Sequence, residues 1–306
     1  MPAPFPTQPL DIPLPGQAGA GPGCSIFPSV RRPARVHRNC DLVYLGQRGF
    51  IVRTVFLVLA LTLCVFQICM AQVDSRWKPN DPDRPVPPVI EPGTASTQDL
   101  PGRPPSDAVV LFGGKDLSQW VSEDGRPAKW RVADGYMEVV PHSGLIHTRQ
   151  SFGDCQLRVE FTEPTPPVGE GQERGNSGVF LMGLYEIQVL DSYHNKTYAD
   201  GQASAVYAQF PPQVNASRPP GQWQTYDIVF HGPRFAKDGT VLRPARVTVL
   251  HNGVLVQDNV ELSGPTGHHV RPPYKPTPDK LPLSLQDHGN PVHFRSIWVR
   301  ELAEGQ

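Results

Sequence analysis

A chain of 306 residues with 28 Lys and Arg against 29 Asp and Glu carries a net charge near −1. Neutralising phosphates takes Lys and Arg, so this balance argues against nucleic acid as the main ligand. The length allows one or two domains, and 36 prolines, more than twice the usual usage of about 5%, fall unevenly along it.

Residues 1–50 are rich in Pro, Gly and Arg, show no periodicity, and read as a doubtful or disordered leader. The long apolar run, Val55 to Met70, follows Arg53 and ends at Ala71. A basic start, an apolar centre and a small residue at the end form a secretory signal over residues 51–71, and a periplasmic or extracellular location follows as an expectation. Sixteen residues are short for a membrane span, which needs about 20. Contact with a membrane is therefore expected only through this segment, if it stays uncleaved. Because a signal peptide opens a chain, translation is expected to begin near Val52. Of five cysteines only Cys155 lies beyond the signal, so the exported part relies on its core without an internal disulfide. Residues 72–107, with nine prolines, read as an extended, poorly ordered linker.

From Ala108 to about residue 303 the pattern is all-β. Short β-type runs fall at 130–132, 136–140, 155–161, 178–182, 185–190, 205–207, 224–230, 246–251, 254–260, 283–286 and 292–301. No stretch holds a helical period. Asp134-Gly135 and Asn252-Gly253 are hairpin signals. Cys155, Leu157, Val159 and Phe161 alternate with Gln156, Arg158 and Glu160, which predicts a strand with one apolar face. Strict counting puts Phe294 and Trp298 on a common face of the last strand. Many short strands punctuated by Gly and Pro predict a β-sandwich of jelly-roll type. The loop from Leu262 to Leu281, with five prolines and the pair His268-His269, is too long to be an idle connection.

The stretch Arg174 to Asp191 holds the most unusual chemistry. In Tyr185 to Leu190, Glu186 and Gln188 share one strand face, while Ile187 and Val189 share the other. A carboxylate beside an amide, with Asp191 closing the run, predicts a polar row lining a groove.

Seven motifs then fall in fixed order: L-F-G-G-K-D-L-S-Q-W at 111–120, N-S-G-V-F-L at 176–181, Y-E-I-Q-V-L-D-S at 185–192, A-V-Y at 205–207, G-x-W-Q-T-Y-D-I at 221–228, H-N-G-V at 251–254 and L-Q-D-H-G-x-x-V-x-F-R-x-I at 285–297. Together they strongly resemble the 3-keto-disaccharide hydrolase domain family, over about residues 108–303. The departures are small: Gly113 and Ser296 stand where Asn is common in the family. The resemblance implies a concanavalin A-like jelly-roll sandwich acting on 3-keto-glycosides, with an oxidoreductase elsewhere supplying the ketone. The spacing Glu186-x-Gln188-x-x-Asp191 also resembles, more distantly, the E-x-D-x-x-E row of jelly-roll endo-glucanases. In retaining enzymes two carboxylates stand about 5–5.5 Å apart. Here Gln replaces the middle Asp and the shorter Asp191 replaces the final Glu, which speaks against ordinary glycosidase chemistry.

A 3-keto sugar acidifies its C2 proton, so cleavage by elimination needs a general base, an enolate stabiliser and an acid for the leaving group. Candidate catalytic residues are Glu186, Asp191 and His288. Gln188, Gln286 and Asn176 are expected to bond sugar hydroxyls, and Arg295 or Arg174 to hold an oxyanion. Glu186 and Asp191 could instead ligate a divalent metal ion. A bland alternative pairs Glu186 with Arg295 across strands, and His288 in D-H-G could serve a turn. A non-catalytic, lectin-like carbohydrate-binding module is the competing function, since one fold serves both roles. Three ionisable groups on one groove favour an enzyme.

Overall fold

The computed structural model describes residues 76–303. The leader, the secretory segment and the start of the linker lie outside the described residues. The chain divides into two compact units, with the division falling between Pro85 and Val86. Residues 76–85 of the first unit form turns, with Asp81 and Arg84 donating backbone N–H bonds to the carbonyls of Lys78 and Asp81.

In the second unit the strands are β1 (Val109–Phe112), β2 (Trp120–Ser122), β3 (Arg131–Ala133), β4 (Tyr136–Glu138), β5 (Ile146–Phe152), β6 (Cys155–Thr162), β7 (Ser177–Leu181), β8 (Tyr185–Val189), β9 (Gln224–His231), β10 (Arg234–Phe235), β11 (Val241–Arg243), β12 (Arg246–His251), β13 (Val254–Glu261), β14 (Leu281–Leu285) and β15 (His293–Glu301). An eight-stranded sheet runs β13-β12-β9-β6-β15-β4-β3, with β1 also pairing β15. A five-stranded sheet runs β2-β5-β14-β7-β8, and β10 pairs β11. Every pairing is antiparallel. One apolar core joins Leu157, Val159, Ile228 and Val249 of the larger sheet to Val179, Ile187, Val189 and Leu285 of the smaller. This is a concanavalin A-like jelly-roll sandwich, as the sequence predicts.

Local chemistry explains the framework. Asp134-Gly135 has φ of 50° and 81°, and Asn252-Gly253 has φ of 53° and 81°, the positive pair that a two-residue type I′ hairpin requires. Cys155, Leu157, Val159 and Phe161 are buried while Gln156 and Arg158 keep partial exposure. Glu160 breaks the expected alternation of burial: it is buried outward, beneath residues 96–98 of the linker. Ser96 Oγ donates to Glu160, Gln98 exchanges hydrogen bonds with the Trp223 backbone at 2.9 and 2.7 Å, and Arg300 pairs with Asp107. Residues 86–107 belong to the second unit and are pinned against the larger sheet, and residues 91–106 double back, with the Ser106 and Thr94 N–H groups donating to Glu91 O (3.0 Å) and Arg103 O (2.9 Å). The polar residues between the prolines do the pinning.

Two details differ from the sequence reading. Phe294 is opposite Phe161, but Trp298 is opposite Arg158, because a bulge at Ser296 (φ 49°) inserts a residue. Phe294 and Trp298 consequently lie on opposite faces. Residues 205–207 form no strand, only isolated bridges from Val206 to Ile187 and to Phe210. Their role is to cover the free edge of β8: Gln188 N–H donates to Ala205 O (3.0 Å), Ser204 N–H to Gln188 O (2.8 Å), and Tyr207 N–H to Glu186 O (3.1 Å). Covering an edge strand in this way blocks intermolecular pairing.

Candidate active site

Strands β7 and β8 place the site. Tyr185, Ile187 and Val189 turn into the sandwich, so Glu186 and Gln188 must face outward. The facing positions on β7 are Phe180 opposite Glu186 and Gly178 opposite Gln188. Gly178 is needed for space: a β-carbon there would stand 2.4 Å from Glu186 Oε1. The Glu186 carboxyl thus lies over bare backbone, with the Phe180 ring beside it.

Phe180, Glu186 and Gln188 line a pocket of about 390 Å³, together with Gln172, Asn176, Tyr207, Thr266, Gly267, His268, Gln286 and His288. Five sequence candidates therefore meet: Glu186, Gln188, Asn176, Gln286 and His288. Gln188 Nε2 donates to Asn176 Oδ1 at 3.1 Å, and Asn176 Nδ2 donates to Gln172 O at 2.7 Å. This chain of amides fixes the pocket wall. Gln286 Oε1 is buried without a hydrogen-bond partner among the described residues, an acceptor that a ligand hydroxyl would satisfy. His288 is exposed on the loop after β14. That loop is held by Asp287, whose carboxylate accepts N–H bonds from Gly144 (3.0 Å) and Gly289 (2.8 Å).

Glu186 is 6% exposed, and its carboxyl forms no hydrogen bond or ion pair among the described residues. Burial away from any cation pushes its pKa up to about 8. It is the only carboxyl-bearing side chain of the pocket lining.

The remaining candidates lie elsewhere. Asp191 lies beyond the end of β8 and outside the Glu186 pocket, where Arg174 Nε donates to it at 2.6 Å. Asp191 Oδ1 accepts the Tyr193 N–H (3.1 Å), and Arg174 also donates to Tyr193 O (2.7 Å). Asp191 and Arg174 line a separate cavity with Glu163. Glu163 is likewise pushed up to about 8 by burial, but both its oxygens accept bonds from Gln224 Nε2. Arg295 is on the larger sheet, paired with Glu160 at 2.8 Å and stacked 4.2 Å from the Trp223 ring. Neither the ion pair of Glu186 with Arg295 nor a shared metal on Glu186 and Asp191 fits this arrangement. Among the described residues no group of three or more His, Cys, Asp or Glu is arranged to hold a metal ion.

Sequence reasoning missed Gln172, Tyr207 and Thr266. Gln172 sits in a 3₁₀ turn with no pattern of its own. Thr266 comes from the long proline-rich loop, and its hydroxyl accepts the Glu186 N–H at 3.0 Å. The loop's length was the available signal, and Tyr207 stood inside the A-V-Y motif.

A sandwich bearing a polar pocket built from amides, one buried carboxyl and a loop histidine defines a carbohydrate-active, glycoside hydrolase-like enzyme. The profile of the 3-keto-alpha-glucoside-1,2-lyase-like domain matches residues 107–300, and the chain belongs to that family. A Parabacteroides distasonis protein of known structure, provisionally described as a glycosyl hydrolase, is 46% identical, with a TM-score of 0.68 over 72% of this chain and 93% of its own. Two more structures from that organism, similarly described, match at 22% and 21% identity, each with a TM-score of 0.48 over 64% of this chain and over 94% and 99% of theirs. No curated protein matches the chain.

Proposed function

We propose that this protein cleaves the glycosidic bond of 3-keto-glycosides or 3-keto-disaccharides by elimination followed by hydration. The observation that carries the reading is the isolated Glu186 carboxyl. Displacement by paired carboxylates needs a second acid group in the same pocket, and Asp191 lies outside it. A single buried carboxyl pushed up to about 8 suits a base that takes a carbon-bound proton near neutral pH.

In this mechanism ionised Glu186 removes the C2 proton, and the C–H electrons move into the C2–C3 bond as the ketone oxygen becomes an enolate. The side-chain amides of Gln188, Gln286 and Asn176 orient the ring and its hydroxyls. The enolate then expels the oxygen at C1, which takes a proton from His288. Water adds across the enone, hydroxyl to C1 and proton to C2, so the sum is hydrolysis. No step is routed through a divalent metal ion, since the pocket lining offers no carboxylate besides Glu186 to share one.

The segment over 51–71 supports export to the periplasm or outside the cell, and the ketone implies a partner oxidoreductase. The test compares a 3-keto-glucoside with its unoxidised parent. Release of reducing sugar from the keto substrate alone, lost in Glu186→Gln, supports the reading. Equal rates on both substrates, or an unaffected variant, overturn it. Binding of sugar without turnover would instead identify a lectin-like module.

A further inference from the structure

Beside the Glu186 pocket lies a larger cavity of about 600 Å³, lined by Tyr198, Asp200, Tyr207, Ala208, His269, Val270 and Arg271. Tyr207 belongs to both linings, so the two spaces meet at one side chain. Neighbouring residues follow the same division: His268 lines the smaller pocket and His269 the larger.

The seam is built rather than incidental. Tyr207 OH is hydrogen-bonded to His268 Nδ1 at 2.9 Å and to Tyr198 OH at 2.8 Å. These two bonds tie residues on three different loop positions into one wall. The Tyr198 ring packs closely on Gly201 of the 3₁₀ turn Ala199–Gly201, where an added β-carbon would come within 2.1 Å of it. Tyr198 is nevertheless 41% exposed and lines the cavity. Ala208 and His269 hold φ of 58° and 56°, conformations that residues with a β-carbon adopt at a cost and that cluster at binding sites. Arg271 is anchored by Nε to Ala208 O at 2.9 Å, which sets its guanidinium at the cavity rim.

We propose that this cavity is the leaving-group subsite: it takes the second sugar ring of a disaccharide whose oxidised ring occupies the Glu186 pocket. The inference rests on the glycoside-cleaving reading above and adds the identity of the departing half. The chemistry of the lining matches a pyranose. Tyr198 offers a flat apolar face for the C–H side of the ring, as aromatic side chains do for apolar surfaces. Asp200, His269 and Arg271 offer acceptors and donors for hydroxyls. Because Tyr207 lines both spaces, a disaccharide lying across it places its two rings in the two pockets. A leaving group without a ring, such as methoxide, would not reach Tyr198.

The test measures kcat/KM for a 3-keto-disaccharide and for the corresponding methyl 3-keto-glucoside, using the full chain and the variants Tyr198→Ala and Tyr198→Phe. The disaccharide-to-methyl ratio is expected to fall about tenfold in Tyr198→Ala, the rate equivalent of one aromatic-face contact. Tyr198→Phe keeps the face and loses the bond to Tyr207, so its ratio is expected to stay within about twofold of wild type. A ratio unchanged in Tyr198→Ala, or one lost equally in Tyr198→Phe, overturns the subsite. Cleavage of neither substrate by the wild-type protein overturns the glycoside reading itself, and the subsite with it.

Discussion

Replacing Glu186 by Gln keeps shape and removes the charge, so it separates stability from catalysis. The rise from 4.5 to about 8, at about 1.4 kcal/mol per pH unit, sets a ceiling of about 5 kcal/mol for the cost of holding the ionised carboxyl in the fold. Water entering an open pocket lowers the effective value, and about 2 kcal/mol is the expected gain in stability for Glu186→Gln at pH 9. At pH 4 the carboxyl is largely protonated in both the folded and the unfolded chain, so the gain should nearly vanish. Urea unfolding of both proteins at the two pH values measures this directly. Activity should move the other way. The base must be ionised, so wild-type kcat/KM should rise with pH up to about 8, and the variant should lose about 10²–10⁴-fold. A variant no more stable than wild type at pH 9 would refute the buried, unpaired carboxyl.

Other perturbations separate the site from its surroundings. Gly178→Ala would press a β-carbon against the Glu186 carboxyl. Since a side-chain tip can move, stability should change by less than about 1 kcal/mol while kcat/KM falls by about 10²-fold, which urea melts and kinetics would show together. Arg174→Ala strands the buried carboxylate of Asp191 and should cost about 3–5 kcal/mol. Arg295→Ala leaves Glu160 with Arg158 Nε at 3.6 Å and the Ser96 hydroxyl and should cost less, with kcat of the folded fraction retained in both. The stability profile should have a maximum in weak acid, readable as Tm against pH. Between about pH 3 and 6.5 the unfolded chain binds a proton that buried His251 refuses in the fold, so stability rises with pH. Between 4.5 and about 8 the folded protein keeps protons on Glu163 and Glu186 that the unfolded chain has released, so stability falls.

The alternation at 155–161 and the two Asn-Gly and Asp-Gly hairpins were legible in the sequence because each is a local rule. So was the pairing of Glu186 with Gln188 on one face. Strand β5, Ile-His-Thr-Arg-Gln-Ser-Phe, escaped because its exposed middle carries no apolar period. Asp191 was grouped with Glu186 by nearness along the chain, but β8 ends at Val189 and Asp191 pairs with Arg174 in a separate cavity. Arg295 was misplaced for a different reason. It follows L-Q-D-H-G in sequence, but β14 and β15 belong to different sheets, and only the fold reveals that the polypeptide crosses the sandwich between His288 and Arg295. The Pro-rich strap was unreadable because its anchoring bonds reach Glu160, Trp223 and Arg295, residues far away in the chain.

The central claim is that cleavage begins with removal of the C2 proton by Glu186. Rates on a 3-keto-glucoside carrying deuterium at C2 address it most directly. The account predicts a primary isotope effect on kcat/KM, together with loss of turnover in Glu186→Gln. Equal rates for the protiated and deuterated substrates, with the unoxidised glucoside cleaved as fast, would contradict it.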